Sequence, residues 1–104
     1  GVPCNQFAQQ EPGTADEIQS FCQKNYGVQF DLLAKVDVNG KKACGLYQHL
    51  TSVDAKPVGK GKISWNFEKF IVNRQGNVVA RIKPFVQPDD ESVIALIEAE
   101  LAKK

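Results

Sequence analysis

The chain has 104 residues, of which 42% are hydrophobic and 24% charged, with a formal net charge of +1 at pH 7. This length fits one small domain, taken as residues 1–104, that buries about two-thirds of its unfolded surface. The near-neutral charge excludes a broad electrostatic footprint for nucleic acid or anionic lipid, and no run of about 18 apolar residues is present to span a membrane as a helix.

The elements follow in chain order. Gly1-Val2-Pro3-Cys4-Asn5-Gln6-Phe7 reads as the tail of a strand entering a loop, and Gln9-Gln10-Glu11-Pro12-Gly13 as a turn punctuated by Pro-Gly. Thr14-Ala15-Asp16-Glu17 is a capping box, with Thr14 as N-cap and Glu17 three residues on. The helix it opens places Ile18, Phe21 and Cys22 on one face, and Gly27 stops it. Residues 30–38 are apolar and partly alternating, so an extended segment is expected before Asn39-Gly40 turns the chain. A short helix through Leu46, Tyr47 and Leu50 follows, then a Gly/Lys/Pro loop over 56–62. Residues 68–73 and 77–83 form two strands, joined through Arg74-Gln75-Gly76 as a β-hairpin. Pro88-Asp89-Asp90-Glu91 starts a final helix with Val93, Ile94, Ile97 and Leu101 on one face; Lys103 and Lys104 suit its C-terminal dipole. Mixed elements in this order point to an α/β domain, a sheet with helices on its faces, with few strands and the first one cut.

The chain has no Met and begins at Gly1, so it is expected to be processed, truncated or excerpted from something longer, and a missing leader says nothing about compartment. Cys4, Cys22 and Cys44 are an odd number, with no C-x-x-C pair and no Cys/His cluster, which argues against a zinc site and against a disulfide-stapled miniprotein. The plain reading of each is a buried thiol in a reducing compartment.

A few polar residues sit where a core-building sequence would not put them. The single Trp, Trp65, is followed by Asn66 at the start of a strand, and Gln10 sits in a turn after an apolar entry. Indole supplies one N–H donor and each amide two. Each also has an ordinary structural reading: packing for Trp65, a backbone cap for Asn66, a solvated turn for Gln10.

Three ordered blocks carry a resemblance. Pro3-Cys4-Asn5-Gln6-Phe7, Gln10-Glu11-Pro12-Gly13 and Ile63-Ser64-Trp65-Asn66-Phe67-Glu68-Lys69-Phe70 resemble the signature blocks of the glutathione peroxidase family. Val36-Asp37-Val38-Asn39-Gly40 and Gly76-Asn77-Val78-Val79 fit the same pattern, so the resemblance runs from Gly1 into the last helix. Val2 departs from it, since family members usually have Phe there; the swap is apolar for apolar.

The resemblance implies a thioredoxin-like fold, N-terminally incomplete here, with a central sheet and flanking helices, and reduction of hydroperoxides without a cofactor. Family members use a peroxidatic cysteine or selenocysteine near the domain start, a strand and a helix before the Pro-Cys-Asn-Gln-Phe block. None of Cys4, Cys22 and Cys44 matches that position. The Gln, Trp and Asn that surround the reactive sulfur map onto Gln10, Trp65 and Asn66. Neutral N–H donors stabilise a thiolate and the leaving hydroxide without filling the site with a bulky point charge. In the thioredoxin-dependent branch, a cysteine in the position of Cys22 resolves the sulfenic acid as a disulfide; the alternative is a core thiol on the Ile18/Phe21 face. The helix around Cys22 would have to unwind locally, since a disulfide tolerates Cα separations only to about 7 Å. Cys22 also favours Cys over selenocysteine as the peroxidatic residue.

Cys4 belongs to the family block without a derived role, Cys44 reads as structural, and His49 as a solvated or capping histidine. The loop over 53–62 is short where tetrameric relatives carry an insertion, which implies a monomer, and no counterpart of the glutathione-binding arginines is apparent. A thioredoxin-like protein is therefore expected as reductant rather than glutathione, in the cytoplasm, with no nucleic-acid or membrane partner. Two other readings stand beside the enzyme: a redox relay that passes oxidation to a partner protein, and an inactive fragment whose lost strands leave too little core to offset the entropy of ordering.

Overall fold

The computed structural model describes residues 1–103. Its elements are α1 (Ala15–Tyr26), α2 (Gly45–Ser52), β1 (Lys69–Val72), β2 (Val78–Ile82) and α3 (Glu91–Ala102). Contacts group the chain into two units, Gly1–Gly45 and Leu46–Lys104.

In the first unit, α1 forms where its caps require. Thr14 Oγ1 accepts from the Glu17 amide (3.2 Å) and Glu17 Oε1 accepts from the Thr14 amide (3.1 Å), so both arms of the capping box are made. Gly27 ends the helix at φ 61°, a left-handed conformation open to glycine, and its N–H reaches the Gln23 carbonyl at 3.0 Å. Of the expected apolar face, Ile18 is buried, Cys22 is half-buried and Phe21 is 58% exposed, its ring 6.1 Å from that of Tyr26. Spacing specifies which side chains share a face; it does not specify that the face is covered. Phe7 and Val38 are the other buried apolar residues of this unit.

The expected strand tail at the N-terminus is not a strand, and neither is the extended stretch over 30–38. The two segments exchange spaced bonds, from Gly1 N to Asp31 O (2.7 Å), from Leu33 N to Gly1 O (2.9 Å) and from Val36 N to Pro3 O (3.1 Å). Pro3 has no N–H to return. The turn lies earlier than expected, over 6–9, with Ala8 and Gln9 at φ 55° and 51° and the Gln10 amide bonded back to Phe7 O at 3.4 Å. Asn39-Gly40 turns the chain as expected, with Ala43 N on Gly40 O at 3.2 Å.

In the second unit, β1 and β2 pair antiparallel as Lys69↔Ile82, Phe70↔Arg81, Ile71↔Ala80 and Val72↔Val78, with an irregularity at Ile71/Val72. The expected hairpin is thus present. Asn73 shapes its turn: Oδ1 accepts from the amides of Gln75 (3.0 Å) and Asn77 (2.9 Å). The expected helix over Leu46, Tyr47 and Leu50 is α2, and Leu50 is its buried residue. In α3 Asp90 is the N-cap, its side chain accepting from Ser92 N at 2.9 Å. Val93 alone of the expected α3 face is buried; Ile94, Ile97 and Leu101 stay exposed. The C-terminal carbonyls of α3 are met from the hairpin turn, Arg74 donating to Leu101 O (3.2 Å) and Lys103 O (3.1 Å). Lys103 itself pairs with Glu100 at 2.8 Å, and the role expected of Lys104 lies outside the described residues. Among the described residues, no helix is long and apolar enough to cross a membrane, and no three His, Cys, Asp or Glu side chains group so as to hold a metal ion.

Candidate active-site loops

Of the four expected site residues, Gln10 and Cys22 belong to the first unit and Trp65 and Asn66 to the second. Trp65 and Asn66 are adjacent on one turn.

Gln10 is exposed on a loop whose backbone is fastened on both sides. Behind it lies the left-handed pair Ala8-Gln9; ahead of it the Glu11 amide donates to Asn5 Oδ1 (2.9 Å) and the Glu11 carbonyl accepts from Lys35 Nζ (2.9 Å). The next residue of the block, Gln6, binds the turn over 38–39. Its Oε1 accepts from the amides of Val38 (2.7 Å) and Asn39 (3.0 Å), and its Nε2 donates to Asn39 O (2.9 Å). One side-chain amide thus meets backbone groups as a strand neighbour would. The Cys4 thiol stays within this local network, accepting from the Gln6 amide at 3.4 Å.

Cys22 is half-buried in α1, four residues before its end. Its carbonyl takes part in the C-cap, accepting from Val28 N at 3.3 Å. His49 is exposed in the last turn of α2, and Cys44 is half-buried.

The turn bearing Trp65 and Asn66 is built from a different material. Ile63 is buried before it. Glu68 closes it: Oε1 accepts from the Ser64 amide (3.1 Å) and hydroxyl (2.9 Å), which brings the two ends of 64–68 together. Phe67 takes φ 65°, uncommon for an aromatic residue, and its carbonyl accepts from Lys69 Nζ at 2.6 Å. Lys69 also donates to Pro84 O (3.1 Å), and burial lowers its ammonium pKa below the ordinary lysine value. Trp65 is 47% exposed, so its indole has an open side.

Behind this turn lies Arg81 of β2, which among the described residues is the one charged residue buried along its whole length. Its Nε meets Glu68 Oε2 at 2.5 Å, with both side chains almost fully enclosed, at 1% and 2% exposure. Nη1 donates to the carbonyls of Gly59 (2.9 Å) and Gly61 (2.7 Å), Nη2 to that of Lys62 (2.9 Å), and the guanidinium lies 5.2 Å from the Phe70 ring centre. Gly59 adopts φ 86°, and a Cβ there would come within 2.9 Å of Asp54 Oδ1, so the loop that offers its carbonyl needs glycine. The Arg81 backbone joins in, its N–H on Lys56 O at 3.0 Å.

Comparison with known proteins places the sequence blocks that build these loops. A family model described as glutathione peroxidase matches residues 1–51. The chain is 54% identical over 89 residues to "Glutathione peroxidase-like peroxiredoxin gpx1" of Schizosaccharomyces pombe, a match that covers 86% of this chain and 56% of the relative. It is 51% identical over 102 residues to "Hydroperoxy fatty acid reductase Gpx2" of Synechocystis, covering 97% of this chain and 62% of the relative.

The chain belongs to the glutathione peroxidase family.

Its fold is the α/β, thioredoxin-like fold of that family. The solved structure titled "Crystal structure of Trgpx in apo form" superimposes with a TM-score of 0.67 at 31% identity, covering 94% of this chain and 56% of that one. The chain thus spans between 56% and 62% of the length of these glutathione peroxidase relatives.

The family blocks include Gln10, Trp65 and Asn66 together with Asn5, Ser64 and Glu68, but no fastening role is legible in the sequence for the last three, and Lys35 and Arg81 lie outside the blocks. Asn5 and Lys35 carry no local signal for that work. Arg81 does carry one: it is the single charge within the apolar strand Val78-Val79-Ala80-Arg81-Ile82. A charge there must find a partner if it is buried.

Proposed function

We propose that the chain is part of a thiol peroxidase that reduces hydrogen peroxide or organic hydroperoxides and is recycled by a thioredoxin-like protein. The observation that carries this reading is identity of about half, over 86% and 97% of the chain, to relatives named as a peroxiredoxin and a hydroperoxy fatty acid reductase. Residues 1–104 are taken as the C-terminal portion of a single domain, with the peroxidatic cysteine or selenocysteine upstream of Pro3 in the whole protein.

In the cysteine form of the reaction, the peroxidatic thiolate attacks one oxygen of the hydroperoxide. The S–O bond forms as the O–O bond breaks, giving a sulfenic acid and, once protonated, an alcohol or water. Gln10, Trp65 and Asn66 supply N–H donors to the thiolate and to the oxygen that leaves. The Cys22 thiol then condenses with the sulfenic acid, releasing water and forming a disulfide, which the dithiol of the reductant reduces. On this reading the step includes local opening of α1, a helix in which Cys22 is half-buried and whose end is capped. The short loop over 53–62 supports a monomer, and a thioredoxin-like reductant fits the cytoplasm.

The test is peroxide-dependent oxidation of thioredoxin by the full-length protein, followed through thioredoxin reductase and NADPH. Steady turnover is expected, and Cys22→Ser should stop after one equivalent of peroxide while still forming a sulfenic acid. Turnover by Cys22→Ser equal to the parent's removes Cys22 from the resolving role. Asn66→Ala and Gln10→Ala should each lower kcat/KM, on the order of 100-fold if the lost donor acts on the developing charge; unchanged kcat/KM in both refutes the donor assignment.

A further inference from the structure

We infer that Arg81 is a positioning residue for Trp65 and Asn66, acting through Glu68 and Ser64. The inference rests on the proposed role of that turn in peroxide reduction.

The chain of contacts is short and continuous. Arg81 Nε holds Glu68 Oε2, while Glu68 Oε1 holds the amide and the hydroxyl of Ser64. Residues 64 and 68 are therefore fixed to one carboxylate, and Trp65, Asn66 and Phe67 span the gap between them. The other arm of the same guanidinium takes the carbonyls of Gly59, Gly61 and Lys62, so the strand of chain leading into the turn is fixed by the same group. Lys69 holds the far side through Phe67 O.

An ion pair this deeply enclosed is poor evidence of stabilisation, because removing both charges from water offsets much of their attraction. A pair of apolar side chains could fill the same space. What apolar side chains cannot do is aim a carboxylate at one amide and a guanidinium at three carbonyls, which selects one conformation of the turn. Arg is suited to this where Lys is not, since its planar fork reaches several acceptors at fixed angles.

The experiment separates positioning from stability. In the full-length protein, Arg81→Met combined with Glu68→Leu removes both charges together and preserves an enclosed apolar core. Glu68→Gln, alone, keeps the shape and weakens both arms, and serves if the double variant does not fold. The protein is labelled with 5-fluorotryptophan, and Trp65→Phe identifies the Trp65 line in the 19F spectrum. The expected result is a protein that still melts cooperatively, with a shifted or broadened Trp65 line and a kcat lowered on the order of 10- to 100-fold, the scale of a small misplacement of site groups. A folded variant whose Trp65 line and kcat both match the parent overturns the inference. If the line moves while Trp65→Phe and Asn66→Ala leave turnover unchanged, positioning stands and the functional reading of the turn falls. If those two variants lose turnover while the line and kcat of the charge-free protein stay as in the parent, the functional reading stands and Arg81 is structural only.

Discussion

The loop carrying Gln10 and the turn carrying Trp65 and Asn66 are both short, and both are fastened by side chains that reach backbone groups. The difference lies in what does the fastening. Around Gln10 the ties are neutral amides of Asn5 and Gln6 and one lysine ammonium, at positions that are exposed or half-buried. Around Trp65 and Asn66 the tie is an ion pair withdrawn from water. A broken amide bond near the surface is replaced by a bond to water, and the loss is small. A broken buried ion pair leaves a charge that water does not reach, and the loss is large. The first loop should therefore tolerate change one bond at a time, whereas the second should hold or fail as a unit.

The largest effect follows directly. Arg81→Ala leaves the Glu68 carboxylate enclosed and three carbonyls without their donor. It should cost about 3–5 kcal/mol of stability, read as a lower denaturant midpoint. A loss below about 1 kcal/mol would mean that water enters the site freely, and the contrast between the two loops would disappear. Gln6→Ala comes next. It removes three bonds to the turn over 38–39, yet at an exposed residue, so a loss of about 1–3 kcal/mol is expected by the same measurement. Asn5→Ala should be smaller, about 1 kcal/mol. Its sharper readout is faster hydrogen exchange at the Glu11 amide, the single donor it abandons. If Asn5→Ala were as costly as Arg81→Ala, the amide-tied loop would be as cooperative as the charged one.

Much of the fold can be read from the sequence because the signals are local. The capping box at Thr14 and Glu17, the stop at Gly27, the hairpin around residues 73–77 and the start of α3 each depend on a few neighbouring residues, and each forms where those residues dictate. What the sequence pattern misplaces depends on partners far along the chain. The N-terminal strand tail does not form: residues 1–3 and 31–36 share three spaced bonds, and Pro3 has no N–H to extend the pairing. The turn before Glu11 shifts toward the N-terminus because Asn5, six residues away, captures the Glu11 amide. The apolar faces of α1 and α3 are real as spacing, yet Phe21 and Leu101 remain exposed, since periodicity carries no information about a covering layer. The site shows the same division. Gln10, Trp65 and Asn66 stand out by family block, and Asn5 and Glu68 hold them from within the same blocks, but two further groups come from distant stretches of chain, Arg81 thirteen residues from Glu68 and Lys35 twenty-four from Glu11. Of these two, Arg81 leaves a trace, as a lone charge among strand residues.

The smallest effect compares the two helix starts and separates them by pH. At α1 the hydrogen bond from the Thr14 amide, then that from its side chain, lowers the Glu17 pKa below the usual carboxylate range. At α3 the Ser92 hydroxyl and then its amide lower that of Asp90. In both cases the folded pKa lies below the unfolded one. The contribution of each carboxylate is thus complete above its unfolded pKa and is lost as pH falls through the folded one. Helicity should therefore weaken in acid at both helix starts, read by far-UV circular dichroism together with carboxyl chemical shifts. The two starts differ in which residue is the cap. Asp90 is itself the N-cap, so Asp90→Asn retains an acceptor for Ser92 N while removing the charge, and α3 should lose its acid sensitivity with little loss of helix. At α1 the cap is Thr14, so Thr14→Ala should cost about 1 kcal/mol at neutral pH and flatten the titration of Glu17 as well, because its partner amide is no longer held in place. Were Thr14→Ala to leave the Glu17 titration unchanged, that carboxylate would be answering to the helix dipole rather than to its reciprocal bond, and the two starts would share one mechanism.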